Sequence, residues 1–264
     1  MKIILSRKGF DASAGGTPSP ILPDGTMLSM PIPNDLDPIA YADIYYDNRS
    51  YADYLSQLYP KYKWEEKHCH LDPDIRKGTL KTENWKPAFG QEDIAETHLR
   101  NHNIQPGDLF LFFGWFCQTM IKNGLLQYCG PNIQAIYGYL QYGKKVTGDE
   151  IYKWHPHSKK NHMEVYENNA LYIPSKRLLL DEEDFGPGSG VFTFNPILQL
   201  TKPEYSRSKW SLLPWMNENL AMTYHSQKSI KDGYFQSVFR GQEFVIDANQ
   251  DVITWVKSLF ASQK

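Results

Sequence analysis

The residues able to do chemistry in this chain fall in separate clusters. Near the N-terminus, in SRKGFDASAGGTPS, Arg7, Lys8, Asp11, Gly15, Gly16 and Ser19 follow a short apolar strand, Ile3 to Leu5. Fixed cations, hydroxyls and glycines that permit close backbone approach make an anion-binding loop, with phosphate as its natural ligand. The stretch matches neither the phosphate-loop nor the dinucleotide fingerprint, and Gly-Gly before Pro-Ser-Pro also reads as a plain turn. Asp11 is the first choice of catalytic carboxylate, because a neighbouring cation keeps it ionised; the alternative is a turn cap or a pair with Arg7.

His70 with Asp72, and His155 with His157, are two pairs at i, i+2 spacing. In an extended segment each pair points to one side, where imidazole and carboxylate can bind a metal, move protons or cap turns. Near the C-terminus, Arg240-Gly-Gln-Glu-Phe groups a cation with Gln242 and Glu243, an amide and a carboxylate suited to a base edge or to satisfying local backbone. Trp115, beside Gly114, offers a ring for stacking on a base, although aromatics are more often core. Cys69, flanked by His68 and His70, and Cys117 are nucleophiles only with an activating base.

The elements that must position these groups are readable in outline. Pro18, Pro20, Pro23, Pro31, Pro33 and Pro38 exclude a regular helix before about Asp37, so this loop-rich stretch wraps the core or covers a site. Tyr51, Tyr54, Leu55 and Leu58 predict a helix closed by Pro60, and Asp93, Ile94, Ala95, His98 and Leu99 predict a second. Leu109 to Phe116 and Ile133 to Tyr142 predict two core strands, with further strands at Ala170 to Pro174 and Gly190 to Phe194. A closing helix is expected from about Asn249 to Ala261, its Val252, Trp255, Val256, Leu259 and Phe260 stripe facing the core.

Composition bounds the class. The 264 residues are 41% hydrophobic and 14% aromatic, enough for a substantial core. A formal charge of −2 excludes bulk coating of nucleic acid and leaves room only for a confined phosphate contact. Three cysteines without C-x-x-C spacing argue against a disulfide framework or zinc ribbon and fit a cytoplasmic setting. The longest apolar run is too short to span a bilayer, so no membrane association is expected. Residues 1–264 read as a single α+β domain with a curved, mixed or barrel-like sheet and peripheral helices.

Gln105-Pro-Gly-Asp before Leu109 to Phe113, with Ile136-Tyr-Gly-Tyr later, resembles the paired barrel strands of the PUA-like superfamily, whose barrels hold flipped or modified bases. More extensively, SRKGFD, CHLDPD, FGQ, GDLFLFFGWF, GYLQ, HPH and GQEF resemble the nucleotide modification associated domain, type three, from Met1 to about Leu259. The resemblance implies a nucleotide or nucleic acid as partner, names no reaction, and marks Arg7, Lys8, Asp11, His70, Asp72, Gln91, His155, His157, Gln242 and Glu243 as its polar positions. Cys117 stands where a basic residue is expected from that family.

The favoured expectation is an enzyme that modifies a nucleotide or base. Arg7 and Lys8 hold phosphate, with Gly15, Gly16, Ser19, Gln91, Trp115, His155 and Arg240 as further ligand contacts. Asp11 or His70, with Asp72 and His157, moves protons, and Gln242 with Glu243 orients the base. Two rivals stand: a PUA-like reader without catalysis, and a metal-dependent hydrolase using His70, Asp72, His155 and His157. No cofactor is named by the sequence, and the favoured reading assigns no metal ligand. Every version requires remote clusters to meet in one pocket with an electropositive mouth.

Overall fold

The apolar run Leu109 to Phe113 is fully buried, as a strand flanked on both sides and covered on both faces must be. It lies at the centre of a nine-stranded mixed sheet in a computed structural model that describes residues 1–158, 168–217, 220–238 and 241–263. The strands are β1 (Lys2–Arg7), β2 (Ser19–Ile21), β3 (Phe89–Gln91), β4 (Leu109–Lys122), β5 (Leu125–Tyr128), β6 (Ile133–Thr147), β7 (Ala170–Pro174), β8 (Ser189–Val191) and β9 (Glu243–Asp247). Their main path is β9-β1-β4-β6-β7-β3, with β8 on β6 and both β2 and β5 on β4. β1 and β2 run parallel to β4, and the other pairs are antiparallel.

β4 and β6 exceed their expected lengths. Past Phe116 the first continues as a hairpin arm with β5, and past Tyr142 the second continues to Thr147 against β7. Register shifts between Ile136 and Gly138 and between Tyr142 and Lys144 mark bulges in β6. Bulges bend the strand and increase its twist, and the sheet curls into a half-barrel around its aromatic core. The curl is compatible with a PUA-like arrangement.

Helix α1 (Tyr51–Leu58) starts in a capping box, Ser50 accepting from the Asp53 amide while the Asp53 carboxylate accepts from the Ser50 amide. α3 (Gln250–Ala261) is capped by Asn249 and buries the expected apolar stripe. Between them α2 (Asp93–Asn101) follows β3 directly, so the first turn of α2 is placed by the sheet edge. The proline-rich segment contains no helix. Its Ile32–Pro33 pairs with Cys69–His70, and this two-stranded ribbon fixes where His70 emerges.

Asp74 pins the loop between His70 and β3. Its backbone bridges Ala88, its Oδ2 accepts from Trp85 Nε1 at 2.6 Å, and its Oδ1 has no partner among the described residues. Burial raises its pKa from 3.8 to about 7, only partly opposed by the Trp85 bond. The folded protein therefore holds a proton that the unfolded chain has released, and wild type loses stability as pH rises from about 4 to about 7. Asp74→Asn is expected to remove that slope, so its stability relative to wild type rises with pH in urea unfolding at pH 5 and pH 8.

Candidate active site

A cavity of about 1100 Å³ opens where the ends of β1, β3 and β9 meet the proline-rich segment and the start of α2. Its inner wall is built around Glu243, the first residue of β9. Glu243 sits opposite Ser6 in the β1 register, and Ser6 donates to its Oε1 at 3.0 Å. Lys8 Nζ lies 3.3 Å from the same oxygen, and Gln91 Nε2 donates to it from β3. Glu243 is 1% exposed, and its other oxygen, Oε2, is buried with no hydrogen-bond partner among the described residues. Burial raises its pKa above the ordinary glutamate value despite the Lys8 charge and the Ser6 bond.

Beside it lie His70, Asp72 and His157. Asp72 Oδ1 accepts from the Gly90 amide at 2.6 Å and lies 3.5 Å from His155 Nε2, while Oδ2 is 4.0 Å from Lys8 Nζ. Burial acts to raise the Asp72 pKa, but the His155 bond and the Lys8 charge outweigh it and hold the carboxyl below its ordinary range. His70 Nδ1 donates to Asp37 Oδ2 at 2.8 Å. Burial acts to lower the His70 pKa, yet the Asp37 bond and the Asp72 charge leave it raised. His157 differs: burial pushes it down to about 3, so its ring is neutral.

Gly90 makes this packing possible. A Cβ on it would lie 2.2 Å from His157 Cδ2, so the His157 ring occupies the space a side chain would take. Glycine inside a strand often marks such a close approach, and that is the signal by which FGQ could have identified it.

The rim is different in character. Arg7 donates to the Val238 carbonyl at 2.6 Å and lies over the Phe113 and Phe244 rings. Arg207 lies 3.8 Å over Trp115, whose Nε1 donates to Asn132. Burial lowers both arginine pKa values, and the Asp11 charge opposes this. Asp11 is exposed, its Oδ1 accepting from the Ser13 and Ala14 amides and the Ser13 hydroxyl in a local turn.

The fold thus brings Arg7, Lys8, Asp11, His70, Asp72, Gln91, Trp115, His157, Gln242 and Glu243 to one cavity. It does not bring the glycine loop. Gly15 lies against the Phe10 ring, where a Cβ would be 2.3 Å from Phe10 Cγ, and Gly16 closes a turn by donating to the Asp11 carbonyl. Ser19 is buried in β2 and accepts from the Met30 amide, so neither the glycines nor Ser19 lines the cavity. His155 is fully buried behind Asp72, supporting it rather than facing the cavity. Arg240 lies outside the described residues.

Gly114 admits the Lys8 carbonyl, 2.6 Å from a Cβ there, rather than a ligand ring. Nor is the cavity lining simply cationic: Arg7, Lys8 and Arg207 share it with Asp11, Asp72, Glu92, Asp93 and Glu243. Cys69 is fully buried, and burial pushes its thiol well above the ordinary value, against a thiolate nucleophile. Arg207, Asp37 and Asn169 were not visible as site residues, since nothing in their local sequence connects them to the cavity.

The profile of the family described as nucleotide modification associated domain 3 matches residues 2–247. The chain belongs to that family. Every cavity residue named above falls within the matched span of the nucleotide modification associated domain. No curated protein and no solved structure gives a significant match. Among the described residues, no helix is long and apolar enough to cross a membrane.

Proposed function

We propose that this domain is an enzyme that modifies a nucleotide, or a base within nucleic acid, with Glu243 as its proton-transfer group. The observation that carries the reading is the Glu243 carboxyl. It is buried and raised in pKa, one oxygen is held by Ser6, Lys8 and Gln91, and the other has no hydrogen-bond partner among the described residues, in a side chain that lines the cavity. A buried polar atom left without a partner is rare in folded proteins, and a ligand is one of the few things that accounts for it. A buried carboxyl whose pKa is raised is suited to general acid-base catalysis.

The division of the cavity fits a nucleotide. Arg7 and Arg207 at the rim receive phosphate, supported by the exposed amide of Gln242. Glu243 Oε2 meets an amino or imino group of the base, and Gln91 holds the carboxylate in place. Lys8 is committed to Glu243 and Asp72, so its role is to keep two buried carboxylates in place rather than to hold phosphate.

The test compares nucleosides from nucleic acid and from nucleotide pools of cells expressing wild type or Glu243→Gln, by mass spectrometry. A mass-shifted nucleoside is expected with wild type and a loss of about 10²–10⁴-fold with the variant. No shifted nucleoside in either source overturns catalysis. Base affinity retained without product would instead establish the PUA-like reader that the curled sheet also accommodates.

A further inference from the structure

We propose that His70, Asp72 and His157 bind one divalent first-row transition-metal ion. The site stands on geometry. His70 Nε2 and His157 Nε2 face each other at 3.2 Å, and one ligand atom from each of His70, Asp72 and His157 lies within 4.8 Å of the others. Two imidazole nitrogens bound to one ion at ordinary metal–nitrogen lengths are about 3.0 Å apart at a right angle and about 3.4 Å apart in a tetrahedron. The observed separation falls between these. The Asp72 oxygen lies within 4.8 Å of both nitrogens, a span the ion closes by binding it directly or through a water.

Each ligand is also backed as a metal ligand requires. The Asp37 carboxylate accepts from His70 Nδ1, so an ion that displaces the Nε2 proton finds that lone pair turned toward His157. Asn169 Nδ2 donates to the His157 carbonyl at 2.7 Å, which fixes the amide so that its Oδ1 accepts from His157 Nδ1 at 2.8 Å. The His157 lone pair therefore lies on Nε2 as well, and both converge on one point beside a carboxylate. Gly90 and His155 hold Asp72. This is the outer shell of hydrogen-bonded partners that orients metal-binding imidazoles and carboxylates in general.

The ligand set selects the class of ion. Two imidazoles and one carboxylate suit Mn²⁺, Fe²⁺, Co²⁺, Ni²⁺ or Zn²⁺, whereas Mg²⁺ and Ca²⁺ prefer all-oxygen surroundings. Three protein ligands leave coordination positions open, and all three residues line the cavity, so those positions face the ligand space. The inference builds on the reading of this cavity as the working site but fails separately from it. Absence of an ion leaves the Glu243 chemistry untouched, and an ion bound without any nucleoside product removes only that chemistry.

The test uses the full chain, stripped by chelator and dialysed, then titrated without oxygen with Co²⁺ by visible absorption and with Zn²⁺ by calorimetry. One equivalent per chain is expected, with Co²⁺ ligand-field bands and at least 100-fold weaker uptake of Mg²⁺. His70→Gln and His157→Gln are each expected to weaken Co²⁺ binding at least 100-fold, and Asn169→Ala by about 10–100-fold. Circular dichroism identifies a variant that fails to fold, and the remaining variants then carry the comparison. Absence of stoichiometric uptake by the folded wild type overturns the site, as does uptake unchanged in the folded histidine variants; either result leaves a proton shared between the two rings.

Discussion

Gly90→Ala is expected to lower activity on the order of 10²-fold while leaving a folded protein. The added methyl has no room: it would meet His157 Cδ2 at 2.2 Å and its Cγ and Nε2 at 2.6 Å. His157 cannot swing aside freely, because it is 3% exposed and Asn169 grips both its Nδ1 and its carbonyl. The strain therefore falls on the ring, on β3, or on both, and the Gly90 amide that holds Asp72 moves with β3. Overpacking of this kind costs about 1–3 kcal/mol. In a chain of this size that is roughly 2–12 °C in Tm. Misplacement of a reacting group by about 1 Å costs on the order of 10²-fold in rate, so activity falls much further than stability. A scanning calorimetry trace and the nucleoside assay together check this; wild-type activity from Gly90→Ala would show that His157 takes no part.

Lys8→Met is expected to have the largest effect on stability. The Lys8 side chain is 9% exposed, its ammonium 3.3 Å from Glu243, 4.0 Å from Asp72 and 4.5 Å over the Phe89 ring. Methionine keeps the packing and removes the charge, leaving two carboxylates in a buried region without their cation. Breaking a buried pair by removing one partner costs about 3–5 kcal/mol. That corresponds to a fall of roughly 6–20 °C in Tm. Without the ammonium, the pKa of Glu243 rises further, so the deficit is smaller at low pH, where the carboxyl binds a proton, and grows as pH rises. Adding Glu243→Gln to Lys8→Met is expected to recover part of the loss, because the two groups are in contact and their effects do not add. Equal stability of Lys8→Met and wild type at pH 7 would show that water, not Lys8, compensates these carboxylates.

Several local features were legible because short-range physics sets them. The helices α1 and α3 follow from their apolar stripes, and the core strands from stretches rich in Leu, Ile and aromatic residues. The i, i+2 pairing of His70 with Asp72 was equally visible, and both side chains do reach the same cavity. Other expected site residues lie away from the cavity, because a local pattern has more than one tertiary use. Gly15 and Gly16 have positive φ, as an anion loop and a turn both require, and what lies against Gly15 is the Phe10 ring. His155 and His157 share a motif, yet one supports Asp72 from behind while the other lines the cavity.

The chain alone thus determined the class of the fold, the helices, the apolar strands and the family resemblance, because each rests on neighbours a few residues apart. Tertiary structure decided the site. Ser6 meets Glu243 across 237 positions, Gln91 meets Glu243 across 152, and His70 meets His157 across 87. Those meetings depend on strand order and register, parallel β1 on β4 and antiparallel β9 on β1, which no local periodicity encodes. The pKa of Glu243 depends on them too, since burial and the approach of Lys8 exist only once the sheet has closed around both.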